Sequence, residues 1–283
     1  MTEYSYYPGC SLHSTAKEFG QSVQAVFTAL DVRLNELPDW NCCSASSGHS
    51  LNPELSLALS GRNIAIAQQQ RLDVVMPCAA CFNRHKTAQH ALRHQPEERR
   101  GVEQAAGFSF DDSIEIRAPL EVVVQQVGLE KVRGLVKNPL AGLKVVDYYG
   151  CLLVRPPEIT GFENPDNPVY MKQIVSALGA EPVDWSYATD CCGGGLALTK
   201  PKTAARMVQR LADYAREAGA QAIVTSCPLC QLNLEMRQSG EPLPIFYFTE
   251  LMGLAFGLTD TKNWWKLHLI NPLHLLDQFN LAV

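Results

Sequence analysis

The stretch Leu72-Asp73-Val74-Val75-Met76-Pro77-Cys78-Ala79-Ala80-Cys81 reads as a buried strand, Leu72–Met76, running into a Cys-x-x-Cys that opens a helix. Ala222-Ile223-Val224-Thr225-Ser226-Cys227-Pro228-Leu229-Cys230 repeats it. A fixed-period return of this kind is the signature of an internal repeat. Working outward, every cysteine falls into it. Cys10, Cys42, Cys43, Cys78 and Cys81 form one set, and Cys151, Cys191, Cys192, Cys227 and Cys230 the other, which accounts for all ten cysteines. Cys151 follows Cys10 by 141 residues, and the other four follow their counterparts by 149. The eight extra residues of the second half are expected between Arg155 and Pro168, in an ordered but irregular loop rich in proline. The flanks agree, with Tyr6-Tyr7-Pro8-Gly9-Cys10 set against Tyr148-Tyr149-Gly150-Cys151.

Each repeat shows the same order of elements. A strand (Tyr4–Tyr7; Lys144–Tyr149) ends at the first cysteine, and an amphipathic helix follows (Ala16–Leu30; Val169–Leu178). A short strand leads to the Cys-Cys pair, then comes a helix (Pro53–Gln70; Lys202–Ala218), and then the strand that ends at Cys-x-x-Cys. Strands alternating with helices predict an α/β fold with parallel pairing, built as two pseudo-symmetric Rossmann-like halves from an internal duplication. The halves are residues 1–139 and 140–283, the second including a C-terminal tail. The region from about Glu97 to Leu140 is read as the join, and the chain beyond Pro244 as a strand, a helix and an irregular tail.

Composition narrows the class. The chain has 283 residues, 46% apolar and 19% charged, as in an ordinary globular protein with a sizeable core. A net charge of −5 gives no footprint for nucleic acid. No apolar run approaches the roughly 20 residues of a membrane helix, and Met1–Pro8 has no basic or apolar leader region. A cytoplasmic location is therefore expected. In a reducing compartment, cysteines in such number point to metal or catalytic use rather than disulfides.

Each cysteine group follows a predicted strand, and ligands of open α/β sheets collect at the carboxyl ends of strands. Cys-x-x-Cys at a helix start is expected to have lowered thiol pKa values from the positive helix end. Gly193, Gly194 and Gly195 allow a tight turn around a bulky ligand. Five sulfurs per half exceed tetrahedral zinc and the four cysteines of an ordinary cubane. An iron–sulfur cluster with unusual ligation fits this pattern, with zinc and metal-free redox thiols as the competing uses.

Tyr7-Pro8-Gly9-Cys10, Trp40-Asn41-Cys42-Cys43, Pro77-Cys78-Ala79-Ala80-Cys81-Phe82-Asn83-Arg84, Asp190-Cys191-Cys192-Gly193-Gly194 and Cys227-Pro228-Leu229-Cys230 resemble the CCG-domain family. More narrowly, they resemble the B subunit of heterodisulfide reductase and its sulfur-oxidation-linked homologues, over nearly the whole chain. The resemblance implies two noncubane [4Fe–4S] clusters. Cys10, Cys42, Cys43, Cys78 and Cys81 would hold cluster 1, and Cys151, Cys191, Cys192, Cys227 and Cys230 cluster 2. It implies an oxidoreductase acting on sulfur groups, which cleaves or forms a disulfide bound between the clusters, the thiol being a small molecule or protein-bound. The implied partners are a subunit with cubane [4Fe–4S] clusters, like the C subunit of that enzyme, and a flavin subunit, like its A subunit. The alternative is an electron-transfer and anchor CCG subunit of a succinate or fumarate:quinone oxidoreductase. The sequence departs from the family at Cys43-Ser44-Ala45-Ser46-Ser47-Gly48, where glycine is expected after the pair, so a loop less tightly wound, or one shaped for a different substrate, is expected there.

Some residues belong to one half only. His13 and His49 follow first-half cysteines and are candidate proton donors, since histidine titrates near neutral pH; Val154 stands opposite His13. Arg84, His85, Lys86, Arg155 and Lys200 are candidates for an anionic substrate tail or carrier, against the plainer reading of a solvated helix face. Tyr6, Tyr7, Tyr148 and Tyr149 are expected in the core. Trp264 and Trp265, with Leu251–Leu258, are expected either at a partner surface or docked on the protein's own core.

Overall fold

In the computed structural model the description covers residues 1–45, 48–162 and 164–281. The predicted Ser46 and Ser47 of the first cysteine loop, and Glu163 of the predicted insertion, lie outside the described residues.

The first half runs β1 (Thr2–Tyr6), α1 (Gly9–Leu12), α2 (Lys17–Ala29), β2 (Val32–Glu36), α3 (Gly48–Leu51), α4 (Pro53–Gln70), β3 (Val74–Val75), α5 (Ala79–His94), α6 (Pro96–Ala106) and β4 (Ile116–Arg117). Then come α7 (Pro119–Glu121), one π-helical turn over Val122–Val127, and α8 (Leu129–Leu135). The second half runs β5 (Lys144–Tyr148), α9 (Pro157–Thr160), α10 (Tyr170–Ala177), β6 (Glu181–Pro182), α11 (Pro201–Glu217), β7 (Ala222–Thr225), α12 (Pro228–Arg237) and β8 (Ile245–Tyr247). It closes with α13 (Phe248–Ala255), α14 (Thr261–Trp265) and α15 (Leu273–Gln278).

The fold is α/β. Two four-stranded parallel sheets have the equivalent orders β2-β1-β3-β4 and β6-β5-β7-β8. The central strands are buried on both faces, which is why Ala222–Thr225 reads as an unbroken apolar run. Helix boundaries follow local chemistry. Asn52 caps α4 by accepting from the Leu55 N–H at 2.9 Å, Pro53 starts the helix, and Arg71 ends it in the left-handed region.

The join differs from expectation. The stretch 97–140 carries the fourth strand of the first sheet, paired with β3 through Val74↔Ile116 and Val75↔Arg117. The same chemistry turns both fourth strands into their helices. The Ala118 N–H donates to Glu121 Oε2 at 2.7 Å, and the Tyr247 N–H donates to Glu250 Oε2 at 2.8 Å. These helices cross over reciprocally: α13 of the second half packs on α2 of the first, and α7, the π-turn and α8 of the first pack on α10 of the second. Ser22 and Thr249 share a hydroxyl hydrogen bond of 2.7 Å across that join, and the Phe19 and Tyr247 rings stack with centroids 4.1 Å apart.

Trp264 and Trp265 are 1% and 3% exposed, so they dock on the protein's own core and form no partner surface. Among the described residues no helix is long and apolar enough to cross a membrane.

Candidate functional site

The three cysteine groups of each half stand beyond the carboxyl ends of β1, β2 and β3, and of β5, β6 and β7. Parallel strands point the same ends the same way, so groups dozens of residues apart converge. In the first half Cys43 Sγ lies 3.2 Å from Cys81 Sγ, and in the second Cys192 Sγ lies 3.8 Å from Cys230 Sγ. Cys78 and Cys227 interact with each other across the join, which brings the two sets together. Cys10, Cys42 and Cys191 are exposed, Cys151 is half-buried, and the other six are buried.

The backbone around the sulfurs is built alike in both halves. Gly9 and Gly150 precede the first cysteines with φ of 67° and 65°, and a Cβ on either would sit 2.9 Å from the Sγ of Cys81 or Cys230. Only glycine gives that close approach at positive φ. The Tyr7 hydroxyl donates to the Asn41 carbonyl at 2.8 Å, and the Tyr148 hydroxyl to the Asp190 carbonyl at 2.7 Å. Each bond ties the first strand to the residue before the Cys-Cys pair. Tyr7 thereby corresponds to Tyr148, and Tyr6 to Asp147, as the strand register also requires. The Ser44 N–H donates to Cys42 Sγ at 3.4 Å and the Gly193 N–H to Cys191 Sγ at 3.3 Å. Of the loop set apart at Ser44, whose Ser46 and Ser47 lie outside the described residues, Ser44 itself is wound as tightly as its counterpart. Ser44 takes the left-handed conformation of Gly193, with φ of 61° against 78°.

The helix-start expectation for the thiols is also corrected. Cys78 and Cys227 cap α5 and α12, yet only Cys227 is held low, by hydrogen bonds from Cys230 and Cys78. Cys78, Cys81 and Cys230 are pushed up, first because each donates to a neighbouring thiolate and then because they are buried. Thiol–thiol hydrogen bonding outweighs the helix end here. Cys43 is driven well down by donation from Cys42 and Cys81, and Cys191 falls to about 6 by donation from Cys151. Each half thus holds at least one stabilised thiolate, the form that binds metal.

The donor set fits a polynuclear cluster. The sulfurs neighbour one another in series, Cys42 and Cys81 donating to Cys43 and Cys230 and Cys78 to Cys227, and no three His, Cys, Asp or Glu side chains among the described residues gather around one metal ion. A multi-iron cluster takes thiolates at separate corners, whereas a single zinc needs four at one point.

The structure redistributes the other candidates. His13 is exposed and lies 3.3 Å from Glu36 Oε1, its ring edge-on to Trp40. His49 Nε2 lies 3.3 Å from Ser50 Oγ, and its Nδ1 is buried without a partner. The histidine that does sit among the cysteines is His85, read from sequence as a candidate on a solvated face but fully buried. It packs on Tyr7 with centroids 4.6 Å apart. Its Nδ1 donates to the Cys81 carbonyl at 2.8 Å and its Nε2 accepts from Asn63 Nδ2 at 3.0 Å, which fixes the neutral tautomer. Burial holds its pKa down. The signal was present: His85 follows Cys81 by four residues, one turn along the same helix face. Arg84 is tied to Asn83 at 2.5 Å, Arg155 to Asp166 at 2.5 Å, and Lys86 lies 4.0 Å from Glu115. Lys200 caps α11 on the surface. The four tyrosines are buried as expected.

Comparison with known proteins gives a consistent picture. The CCG cysteine-rich domain matches twice, at residues 4–84 and 145–235. The 8-methylmenaquinol:fumarate reductase membrane anchor subunit of Wolinella succinogenes is 33% identical, over 90% of this chain and 93% of that protein. The B subunit of the ferredoxin:CoB-CoM heterodisulfide reductase of Methanosarcina mazei is 27% identical, over 92% and 91%. A protein of Archaeoglobus profundus that is like the heterodisulfide reductase B subunit is 26% identical, over 93% of each chain. Among solved structures, a hypothetical protein from Helicobacter pylori shares the fold, with a TM-score of 0.74 at 11% identity. The alignment spans 95% of this chain and 52% of that one.

Proposed function

This chain belongs to the cysteine-rich CCG-domain family, and on that premise we propose that it is an iron–sulfur oxidoreductase subunit of a heterodisulfide reductase-like complex. Cys10, Cys42, Cys43, Cys78 and Cys81 hold one noncubane [4Fe–4S] cluster, and Cys151, Cys191, Cys192, Cys227 and Cys230 hold the second. The observation that carries the reading is the closeness of the two cysteine sets: just after Cys81, Asn83 Nδ2 donates to the Leu152 and Arg155 carbonyls beside Cys151, at 3.0 and 2.7 Å, and Cys78 and Cys227 act on each other's ionisation. Cleaving a disulfide takes two electrons and two protons and yields two thiols, and two one-electron centres side by side match that demand.

A bound cluster supplies single electrons and iron sites that accept sulfur. The chain's own residues prepare the place. The Gly193 amide favours thiolate at Cys191, while the Ser44 amide opposes the rise that donation to Cys43 and burial impose on Cys42. Gly9 and Gly150 let the backbone close over Cys81 and Cys230. The exposed Cys10, Cys42 and Cys191 leave a face open to substrate or partner. His85, locked neutral and buried, shapes the first site without bringing charge to it. The partners of this reading are a subunit with cubane clusters and a flavin subunit.

A second reading is favoured by one observation: 33% identity to a fumarate reductase membrane anchor subunit exceeds the 26–27% to the heterodisulfide reductase proteins. In that reading the two cysteine sets would hold clusters for electron transfer between a succinate- or fumarate-acting partner and a quinone. The test is the anaerobically purified native complex. Brown protein with several irons per chain is expected; colourless protein carrying zinc ends both readings. Oxidation of reduced viologen dye by a small disulfide supports the first reading, and turnover with quinone but not disulfide supports the second in its place.

A further inference from the structure

Four ionisable side chains are buried together where α13 of the second half lies on α2 of the first. His268 places Nδ1 2.9 Å from Glu235 Oε1 and Nε2 2.9 Å from Glu250 Oε1, with all three side chains at most 1% exposed. The Leu269 N–H donates to the other oxygen of Glu235 at 2.8 Å, and the Tyr247 N–H to the other oxygen of Glu250 at 2.8 Å. A carboxylate faces each ring nitrogen, so both nitrogens donate and the ring is an imidazolium. Burial opposes that charge, but Glu250 and Glu235 overcome it and hold the pKa up to about 11. Glu18, 3% exposed on α2, comes to the same cluster from the first half. Burial pushes its carboxyl up to about 7, with Glu250 and Glu235 adding to the shift and its own N–H and His268 opposing it.

One cation thus stands with three carboxyl groups, and among the described residues Glu18 is the one of the three that forms no ion pair. Tyr247 joins this cluster to the cysteines. Its hydroxyl donates to Gln231 Oε1 at 3.4 Å, beside Cys230, and its environment includes Glu18, Glu250, Glu235 and Cys227. Charges interact strongly in such an interior because little water screens them.

We propose that Glu18, buried on α2 beside Phe19, whose ring stacks on Tyr247 next to the Glu250, His268 and Glu235 cluster, is a redox-linked proton site for the second cysteine set. When the cluster that this set would hold is reduced by one electron from a reduced partner, Glu18 would take one proton from solvent, and on reoxidation it would return it. The charge at the join stays constant, and a proton is stored near the sulfur chemistry that consumes protons. This deepens the cluster reading above and rests on it.

The test is a redox titration of the second-set cluster in the intact iron-loaded protein, followed by electron paramagnetic resonance, over a pH range spanning about one unit either side of about 7. The wild-type midpoint is expected to fall with rising pH above that value, approaching about 59 mV per tenfold change in proton activity. Glu18→Gln flattens this slope and Glu18→Asp keeps it. Reduction of the wild type also raises a protonated-carboxyl infrared band that Glu18→Gln lacks. If Glu18→Gln does not fold, the wild-type slope and band decide: a flat slope with no band overturns the proposal, as does a slope that survives in a folded Glu18→Gln. Wild-type protein with no iron–sulfur signal overturns the cluster reading and this inference together, whereas a cluster of flat slope overturns the proton site alone.

Discussion

Ser44 holds the left-handed backbone of its counterpart Gly193, φ 61° against 78°, and donates the same amide bond to the first cysteine of its pair. What permits a side chain at one and not the other is the helix behind. Ser44 Oγ lies 2.6 Å from Ser56 Oγ, on the fourth residue of α4. A Cβ on Gly193 would instead meet Met207 Sδ at 3.0 Å and the Cα of Ala204, the fourth residue of α11, at 3.1 Å.

The two loops should therefore respond differently to exchange. Ser44→Gly relieves a left-handed cost of about 1–2 kcal/mol and loses a hydrogen bond of about 1 kcal/mol, so stability changes by about 1 kcal/mol or less. Gly193→Ser adds that strain and a clash, and should cost about 2–4 kcal/mol and displace the Cys191 amide bond. Urea unfolding of both variants checks this, and equal stability of Gly193→Ser and wild type would refute the packing argument.

Removal of one ligand from each set should act locally. Cys43→Ala is expected to lose the iron of the first set and keep that of the second, and Cys192→Ala the reverse. Iron analysis and electron paramagnetic resonance on each variant read this directly. Full iron content in both would show that the ligand assignment is wrong.

His268 ties stability to pH. Its folded pKa of about 11 lies above its ordinary 6.5, so the imidazolium contribution is fully present below about 6.5 and is lost as pH rises through about 11. Glu18 adds a limb of the same sign at lower pH, because a carboxyl held up to about 7 from 4.5 favours the folded state less as pH climbs between those values. The urea midpoint should fall steadily from weakly acid to alkaline pH, and a rise over that range would contradict it. His268→Gln strands two buried carboxylates and should cost about 3–5 kcal/mol at neutral pH.

Gly253 lies on α13 against Trp264, and an added Cβ would come within 2.5 Å of Cζ3 and 2.7 Å of Cη2. Alanine gains about 1 kcal/mol of helix propensity, but the indole is 1% exposed and rigid. Overpacking costs about 1–3 kcal/mol. Gly253→Ala is expected to lower the melting temperature and alter the near-ultraviolet tryptophan signal; a rise in melting temperature would mean the indole has room to move.

Much of the architecture was legible. The helix at Pro53–Gln70 and the strand at Ala222–Thr225 are found with the boundaries read from their patterns, because an N-cap, a proline start and an apolar run are local signals. β4 escaped notice because its two residues carry too little pattern to mark a strand. Tyr6-Tyr7 and Tyr148-Tyr149 look alike as text, and the strand pairing and the hydroxyl bonds set Tyr7 against Tyr148. His85 passed for a surface residue because its helix is polar in composition, yet one face of it is buried against Tyr7.

By itself the sequence determined that there are two sets of five cysteines, each delivered to the ends of parallel strands, since element type and cysteine spacing are written along the chain. Only the tertiary structure decided that Cys78 meets Cys227, that each half lends its last helices to the other, and that Glu18 is buried with Glu235, Glu250 and His268. These are contacts between segments that are not neighbours along the chain. Their ionisation depends on exclusion from water, which comes from packing and leaves no mark in the local pattern of residues.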